Sequence, residues 1–243
     1  MEAERVVEDF RHYFSMVAAT TPELRDEGYR VRYAVYAEEL GWEDKGRFPD
    51  KRETDQYDTD SLCCLLRHRA SGQTVGCVRL IQSCPDGQRA FPFEGVLVTG
   101  SALEHRFGAG WRLQSAEISR IAVISQFRRR RGERERPENA IEDDNSVTPE
   151  RRVFPHIAIG LYLGAATMGL INGVARVFAI MEPKLARRLR IYGIEFEAIG
   201  EPIEHHGMRI PYVLTRESFE VGATASIKAL LLTIAEDLRG SGG

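Results

Sequence analysis

Between positions 32 and 120 the sequence holds three arginines, four carboxylates and a tryptophan in stretches that are otherwise apolar or strand-like: Arg32, Trp42, Glu53, Asp55, Asp58, Arg79, Glu117 and Arg120. Neighbouring segments such as Leu62 to Leu66 and Ile118 to Ile124 read as core. Charges beside a core persist only when paired or hydrogen-bonded, so the arginines and carboxylates are expected to neutralise one another. A buried cluster of that size is costly to assemble and points to a binding or reaction site. The alternative is a structural ion-pair network.

Composition bounds the classes of function. With 243 residues, 43% hydrophobic and 28% charged, the chain can bury a full core and is globular rather than disordered. A formal net charge of -3 argues against a nucleic-acid binder, which would be broadly basic. Met1 to Phe10 mixes acids with apolar residues and lacks the order of a secretory signal, so a cytoplasmic location is expected. Cys63 and Cys64 are adjacent on a strand-like segment and should face opposite sides, and Cys77 and Cys84 stand apart. No C-x-x-C spacing suggests zinc; free thiols are expected, and no metal site. Ile157 to Val174 is uncharged and contains two G-x-x-x-G spacings. It sits mid-chain and runs directly into a strand-like segment, so a helix buried against a sheet is expected rather than a membrane span.

The elements that must hold the charged residues follow from periodicity. Val6, Val7, Phe10, Tyr13, Phe14 and Val17 recur at helical spacing, and Thr21 caps a second helix with Pro22 at its first position and Gly41 just past its end. Ser61 to Arg69 and Thr74 to Gln82 read as a hairpin, the region around Pro92 as loop, and Arg112 to Ile124 as a long strand. Residues 132–152 are polar and acid-rich, and are expected to form a mobile excursion. Then come a helix from Phe154 to Gly173, a strand from Arg176 to Met181, a basic helix from Pro183 to Tyr192, strands Ile194 to Ile199 and Met208 to Thr215, and a last helix, Ser226 to Leu238. The order predicts an α/β fold of three layers around one mixed sheet, in a single domain spanning 1–243.

Several of these residues also form a known pattern. Arg32-Tyr-Ala-Val-Tyr36, Trp42, Glu53-Thr-Asp55-Gln-Tyr-Asp58, Val78-Arg79-Leu80 and Glu117-Ile-Ser-Arg120 resemble the signature of acyl-homoserine-lactone synthases, which have the GNAT acyltransferase fold. That likeness covers the first half of the chain. The insertion, Met181-Glu-Pro-Lys-Leu185 and Glu204-His-His-Gly-Met-Arg-Ile-Pro-Tyr212 resemble instead acyltransferases associated with the PEP-CTERM/exosortase system, themselves similar to long-chain N-acyl amino acid synthases. This second likeness runs nearly end to end. The resemblance implies a mixed, mostly antiparallel sheet with a splayed, bulged central strand. It also implies a reaction in which the amine of an amino acid or related metabolite attacks an acyl thioester on acyl carrier protein, with no tightly bound cofactor.

Under that resemblance Glu117 is the candidate base, since an ammonium must lose a proton before it attacks. Arg79 or Arg120 would hold a substrate carboxylate in bidentate fashion. Asp55 and Asp58 would neutralise the arginines or grip the ammonium, Trp42 and Tyr36 would wall the pocket, and Arg32 and Glu53 complete the substrate side. Residues at i and i+3 on a regular strand face opposite sides, so Glu117 and Arg120 can share a pocket only if a bulge lies between them. A backbone amide near Ile121 or Val123 would then donate to the thioester oxygen.

The arginine run at Arg128, Arg129, Arg130, Arg131 and Arg134 bears on the donor. Arg129-Arg-Arg-Gly132 matches half of the glycine-rich loop with which GNAT enzymes cradle coenzyme A, and Arg134 stands where the second glycine belongs. A basic surface suits an acidic carrier protein, so acyl carrier protein is expected rather than acyl-CoA. His205 and His206 read as a loop or substrate-side pair, and neither Ser119 nor Ser125 carries a nucleophile motif. Two alternatives stand beside the N-acyl amino acid reading: a homoserine-lactone autoinducer synthase acting on S-adenosylmethionine, and a catalytically silent module that binds lipid or carrier protein.

Overall fold

In the computed structural model the chain is described over residues 2–97, 101–128 and 155–240. Its frame is an eight-stranded sheet. Strand β1 (Phe14–Ala18) lies at one edge, followed by β2 (Ser61–His68), β3 (Thr74–Gln82), β4 (Ser115–Val123), β5 (Arg176–Met181) and β8 (Met208–Thr215). Two short strands, β6 (Glu197–Ala198) and β7 (Ile203–Glu204), both pair with β8. Every pairing is antiparallel except β4 with β5. That exception follows from chain order, because helix α5 (Pro155–Ile171) carries the chain over the sheet between them.

Alternation assigns the two faces. Val78 and Leu80 on β3, Ala116 and Ile118 on β4, and Val177 and Ala179 on β5 belong to the main core. Helix α5 covers this face with α8 (Ala225–Gly240) and α1 (Glu2–Tyr13). Its glycines explain the uncharged stretch: a Cβ at Gly164 would meet Met16 Cε at 2.4 Å and Cys64 Sγ at 2.7 Å, so α5 approaches the sheet more closely than alanine permits. No helix among the described residues is long and apolar enough to cross a membrane. Arg79, Ile81, Glu117 and Phe178 point to the opposite face. There α2 (Pro22–Tyr33), capped by the Thr21 hydroxyl accepting from the Leu24 amide at 3.3 Å, packs against β2, β3 and β4. Beside α2 an aromatic cluster of Phe91, Phe93, Trp111 and Phe178 closes the core.

Some expected elements are redrawn. The helix expected over Val6 to Val17 stops at Tyr13, and Phe14 to Ala18 forms edge strand β1, which buries Phe14 and Met16 on alternate positions. The same apolar residues fit both periods, and pairing with β2 settles the choice. The Met16 amide donates to Asp237 of α8 at 3.0 Å. The strand expected over Ile194 to Ile199 shrinks to Glu197–Ala198, and the long strand from Arg112 begins only at Ser115 after a 3-10 turn. Helices α3 (Ser101–Phe107), α4 (Ser125–Arg128) and α7 (Arg216–Gly222) were not foreseen, whereas α6 (Pro183–Ile191) and its stop at Gly193, with φ +77°, were. All four cysteines are free thiols, and Cys63 and Cys64 face opposite sides.

Candidate active site

The site begins with an irregularity in β4. Opposite β3, Ala122 pairs with Cys77 and Ser119 with Arg79, so Arg120 and Ile121 together face Val78 alone. This extra residue is the expected bulge, and it returns Arg120 to the face of the sheet that carries Glu117. Arg120 takes φ +49°, a conformation few non-glycine residues adopt. Two contacts from Tyr36 hold it: the hydroxyl donates to the Ile121 carbonyl at 2.8 Å, and the Arg120 guanidinium lies 5.7 Å from the ring centroid. Tyr36 sits on a π-helical turn, Ala34–Glu39, that continues α2. Pairing between β4 and β5 ends at Ile118 with Ala179, and beyond that point the two strands part.

At this parting a cleft of about 1200 Å³, its mouth included, is lined by Tyr36, Trp42, Glu43, Asp55, Arg79, Glu117, Ser119, Arg120 and Ile121. Apolar walls come from Pro92, Val96, Ile118, Tyr162 and Ile180, and a further wall from His205, His206 and Arg209. Behind Asp55 and Arg79 lies a tight ion network. Arg79 donates from Nη1 to Asp55 at 2.6 Å and Asp58 at 2.9 Å, from Nη2 to Asp55 at 3.0 Å, and from Nε to the Ser119 hydroxyl at 2.9 Å. Arg32 donates to Glu53 and, at 2.6 and 3.1 Å, to both oxygens of Asp58. Arg120 reaches Glu53 at 3.2 Å, Asp55 at 3.3 Å and Glu43 at 3.6 Å.

The network holds its two aspartates charged. Burial opposes ionisation of Asp55, but hydrogen bonds and charge from Arg79, with Arg120 behind them, outweigh it and hold the carboxyl at about 2. Asp58 is depressed in the same way: burial is outweighed by Arg32 and Arg79. Glu117 is different. It is 3% exposed, takes part in none of these ion pairs, and accepts one hydrogen bond, from the Phe93 amide at 3.0 Å. Burial pushes its pKa up to about 8, against the weaker pull of that amide and of Arg79 and Arg120. A carboxyl tuned in this way, facing a cleft, can take up a proton near neutral pH.

Tyr36, Trp42, Asp55, Arg79, Glu117, Arg120 and Ile121 thus meet at one cleft, while Arg32, Glu53 and Asp58 form the second row behind it. Val123 does not join them; it pairs with Gly76 in the ladder and is 1% exposed. The geometry also revises the expected role of Arg79 as clamp for a substrate carboxylate, because its donors are directed at Asp55, Asp58 and Ser119. Arg129, Arg130, Arg131 and Arg134, and the insertion at 132–152, lie outside the described residues, and Arg128 closes α4 just after β4. No cluster fit to hold a metal occurs among the described residues.

Sequence reasoning overlooked Glu43, Tyr57, Tyr162 and Arg209. Glu43 follows Trp42 directly, which is the signal that could have found it. Arg209 is the second residue of β8, just after the His205-His206-Gly207 turn, where His206 takes φ +52° and stacks parallel to Trp42 at 4.4 Å. Ser119 anchors Arg79, its hydroxyl accepting from Nε at 2.9 Å.

Comparison with known proteins agrees with this geometry. Residues 31–135 match the family described as acetyltransferase (GNAT) domain. Comparison with curated proteins gave no match. Similar solved structures include TofI in a ternary complex with an inhibitor and MTA, at 20% identity and TM-score 0.56, covering 88% of this chain and 96% of that one. BjaI, a CoA-dependent acyl-homoserine lactone synthase solved with MTA, is 19% identical with TM-score 0.54, covering 91% and 99%. FeeM, an N-acyl amino acid synthase from uncultured soil microbes, is 13% identical with TM-score 0.54, covering 86% and 94%. At these identities the likeness is one of fold, and the chain has the GNAT fold with its mixed, mostly antiparallel sheet between helical layers.

Proposed function

We propose, on the premise that this GNAT-fold protein is an acyltransferase, that it moves a fatty acyl chain from an acyl carrier protein thioester to the amine of an amino acid. The observation that carries this reading is Glu117: a buried carboxyl outside the ion network, facing the cleft where β4 and β5 part. The acceptor arrives as an ammonium. Glu117 takes one proton, and the freed amine attacks the thioester carbon. A C–N bond forms, the C–S bond breaks, and the thiol leaves with the second amine proton. A backbone amide of the bulge at Ile121 is the donor for the oxyanion, and Trp42 and Tyr36 exclude water. Asp55 and Glu43 give the ammonium its counter-charge.

The arginine run from Arg128 to Arg134 is assigned to carrier docking by charge, and the donor is a co-substrate rather than a resident cofactor. Association with acyl carrier protein should therefore slow steeply as salt is raised. The likeness of residues 204–212 to PEP-CTERM/exosortase-associated acyltransferases favours the same reading, since that segment supplies His205, His206 and Arg209 to the cleft. We place the reaction in the cytoplasm.

The test is to mix the protein with acyl carrier protein thioesters, and separately with acyl-CoA, in the presence of an amino acid pool. Release of free thiol with an N-acyl amino acid in the mass spectrum is expected, faster from the carrier protein. No thiol release with any donor, chain length or amine sinks the reading. A second reading, an acyl-homoserine lactone synthase, is favoured by the likeness to TofI and BjaI. It predicts turnover with S-adenosylmethionine and release of methylthioadenosine.

A further inference from the structure

A second hollow lies away from the cleft, at the β1 edge of the sheet, and shares no lining residue with it. It is a groove of about 870 Å³, its open mouth included, formed where β1 ends at Ala18, β2 begins with Leu62 and Cys63, and the last turns of α5 and α8 come together. Met168 and Ile171 of α5 and Leu238 of α8 give it apolar sides, and Ile171 is 57% exposed. The Cys63 thiol, pushed up to about 11 by burial, stays neutral and adds to the apolar floor.

Two arginines line the same groove, Arg25 near the N-terminal end of α2 and Arg239 in the last turn of α8. Other arginines around α2, β2 and α8 are paired: Arg30 and Arg52 share Asp26, Arg67 meets Glu27, and Arg69 meets Asp237. The guanidiniums of Arg25 and Arg239 have no salt bridge or hydrogen bond among the described residues, and no carboxylate lines the groove beside them. Helix ends do not account for both. Arg239 suits the C-terminal end of α8, but a cation at the start of α2 stands against the helix dipole. Unpaired cations over an apolar floor are complementary to an anion that carries a hydrocarbon chain. The carbonyl ends of α5 and α8 disfavour a highly charged head such as a polyphosphate, and no aromatic ring lines the groove to stack a base. A single carboxylate fits the two guanidiniums.

We propose that this groove is a second lipid site, which binds a single-chain carboxylate with its head between Arg25 and Arg239 and its chain along Met168, Ile171 and Leu238. Two sources carry that chemistry, a free fatty acid and an N-acyl amino acid. The site lies outside the cleft and goes beyond the amine-acylation reading. Neither arginine lines the cleft, so the thiol-release assay and the binding of a carboxylate here can fail independently.

The test is calorimetry on the whole chain with dodecanoate and dodecan-1-ol, in the absence of acyl thioester and amine. The unaltered protein should bind the acid roughly 10- to 100-fold more tightly than the alcohol, the worth of charge-assisted hydrogen bonds to the head. The double variant Arg25→Met, Arg239→Met should bring that ratio near one while its Kd for the alcohol stays the same, which shows the apolar groove intact, and Arg25→Lys should keep part of the preference. Running N-dodecanoylglycine beside dodecanoate names the source, as the tighter of the two. Failure of the unaltered protein to bind either ligand overturns the site, as does a ratio near one. A preference that the double variant leaves unchanged also overturns it, and puts the carboxylate in the cleft instead.

Discussion

Two buried acidic regions face the same cleft and are built in opposite ways. The carboxylates around Arg32 and Arg79 are matched almost oxygen for donor, and Asp55 is held at about 2. Glu117, on the adjacent strand, has one amide for a partner and sits at about 8. Both have left water, but only the first has been repaid with opposite charge. A paired carboxylate is a fixed strut: it cannot take a proton near neutral pH, and it holds the bulge of β4 through Arg120 and Ser119. An unpaired one is a proton acceptor in waiting, at a cost in stability. The contrast teaches that clustering of charge alone does not mark the reacting group. On the proposed reading, the group left out of the cluster does.

The largest effect should follow from Glu117→Gln, which keeps an acceptor for the Phe93 amide and removes the titration. Turnover should fall by roughly 10²- to 10⁴-fold, the usual worth of a general base. In the unaltered protein kcat/KM should rise with pH through about 8 and level only above it. Stability should move the other way. Below the ordinary value of 4.5 folded and unfolded chains both carry the proton; between 4.5 and about 8 only the folded chain keeps it, so stability falls as pH rises through that window and is flat above it. The variant should lack that decline and melt higher than the parent at pH 8. Equal melting temperatures at pH 8 would mean that Glu117 is not held neutral by burial.

Next in size is Arg79→Met. It takes from half-buried Asp55 two of its three hydrogen bonds and from Asp58 one of its four, and should destabilise the fold by about 3–5 kcal/mol in a denaturant titration. Ser119→Ala, which strands only the Arg79 Nε–H, should cost about 1–3 kcal/mol. If Arg79→Met proved the milder of the two, the network would not be the strut described here.

How far this contrast was legible beforehand depends on which residues carried it. The cluster from Arg32 to Arg120 stood out because charged residues inside strand-like sequence must be paired, and the need for a bulge followed from the three-residue spacing of Glu117 and Arg120. Beyond reading His205 and His206 as a loop or substrate-side pair, sequence could not supply the far wall. His205 and Arg209 reach the cleft because β8 pairs with β5 and the short β7–β8 turn folds back over Trp42, a long-range register that no local pattern encodes. Nor could it divide the labour among the charges. Arg79 looked like a substrate clamp until its partners were counted, and Phe14 to Ala18 satisfied helical and strand periods equally until β2 offered an edge.

The smallest predicted effect isolates burial from geometry. Arg11 of α1 meets Glu236 of α8 at 3.2 Å, the same separation as Arg120 Nε from Glu53. The side chains of the first pair are 53% and 67% exposed, whereas Glu53 is 1% exposed. Water screens the exposed pair and can solvate either partner alone, so Glu236→Gln should cost only about 0.2–1 kcal/mol, and less in high salt. Glu53→Gln instead leaves buried Arg32 and half-buried Arg120 beside a neutral group, and belongs with Arg79→Met in the range of several kcal/mol. Equal costs for Glu236→Gln and Glu53→Gln in parallel denaturant titrations would mean that contact distance, not removal from water, sets what an ion pair is worth in this fold, and the division between struts and Glu117 would lose its physical basis.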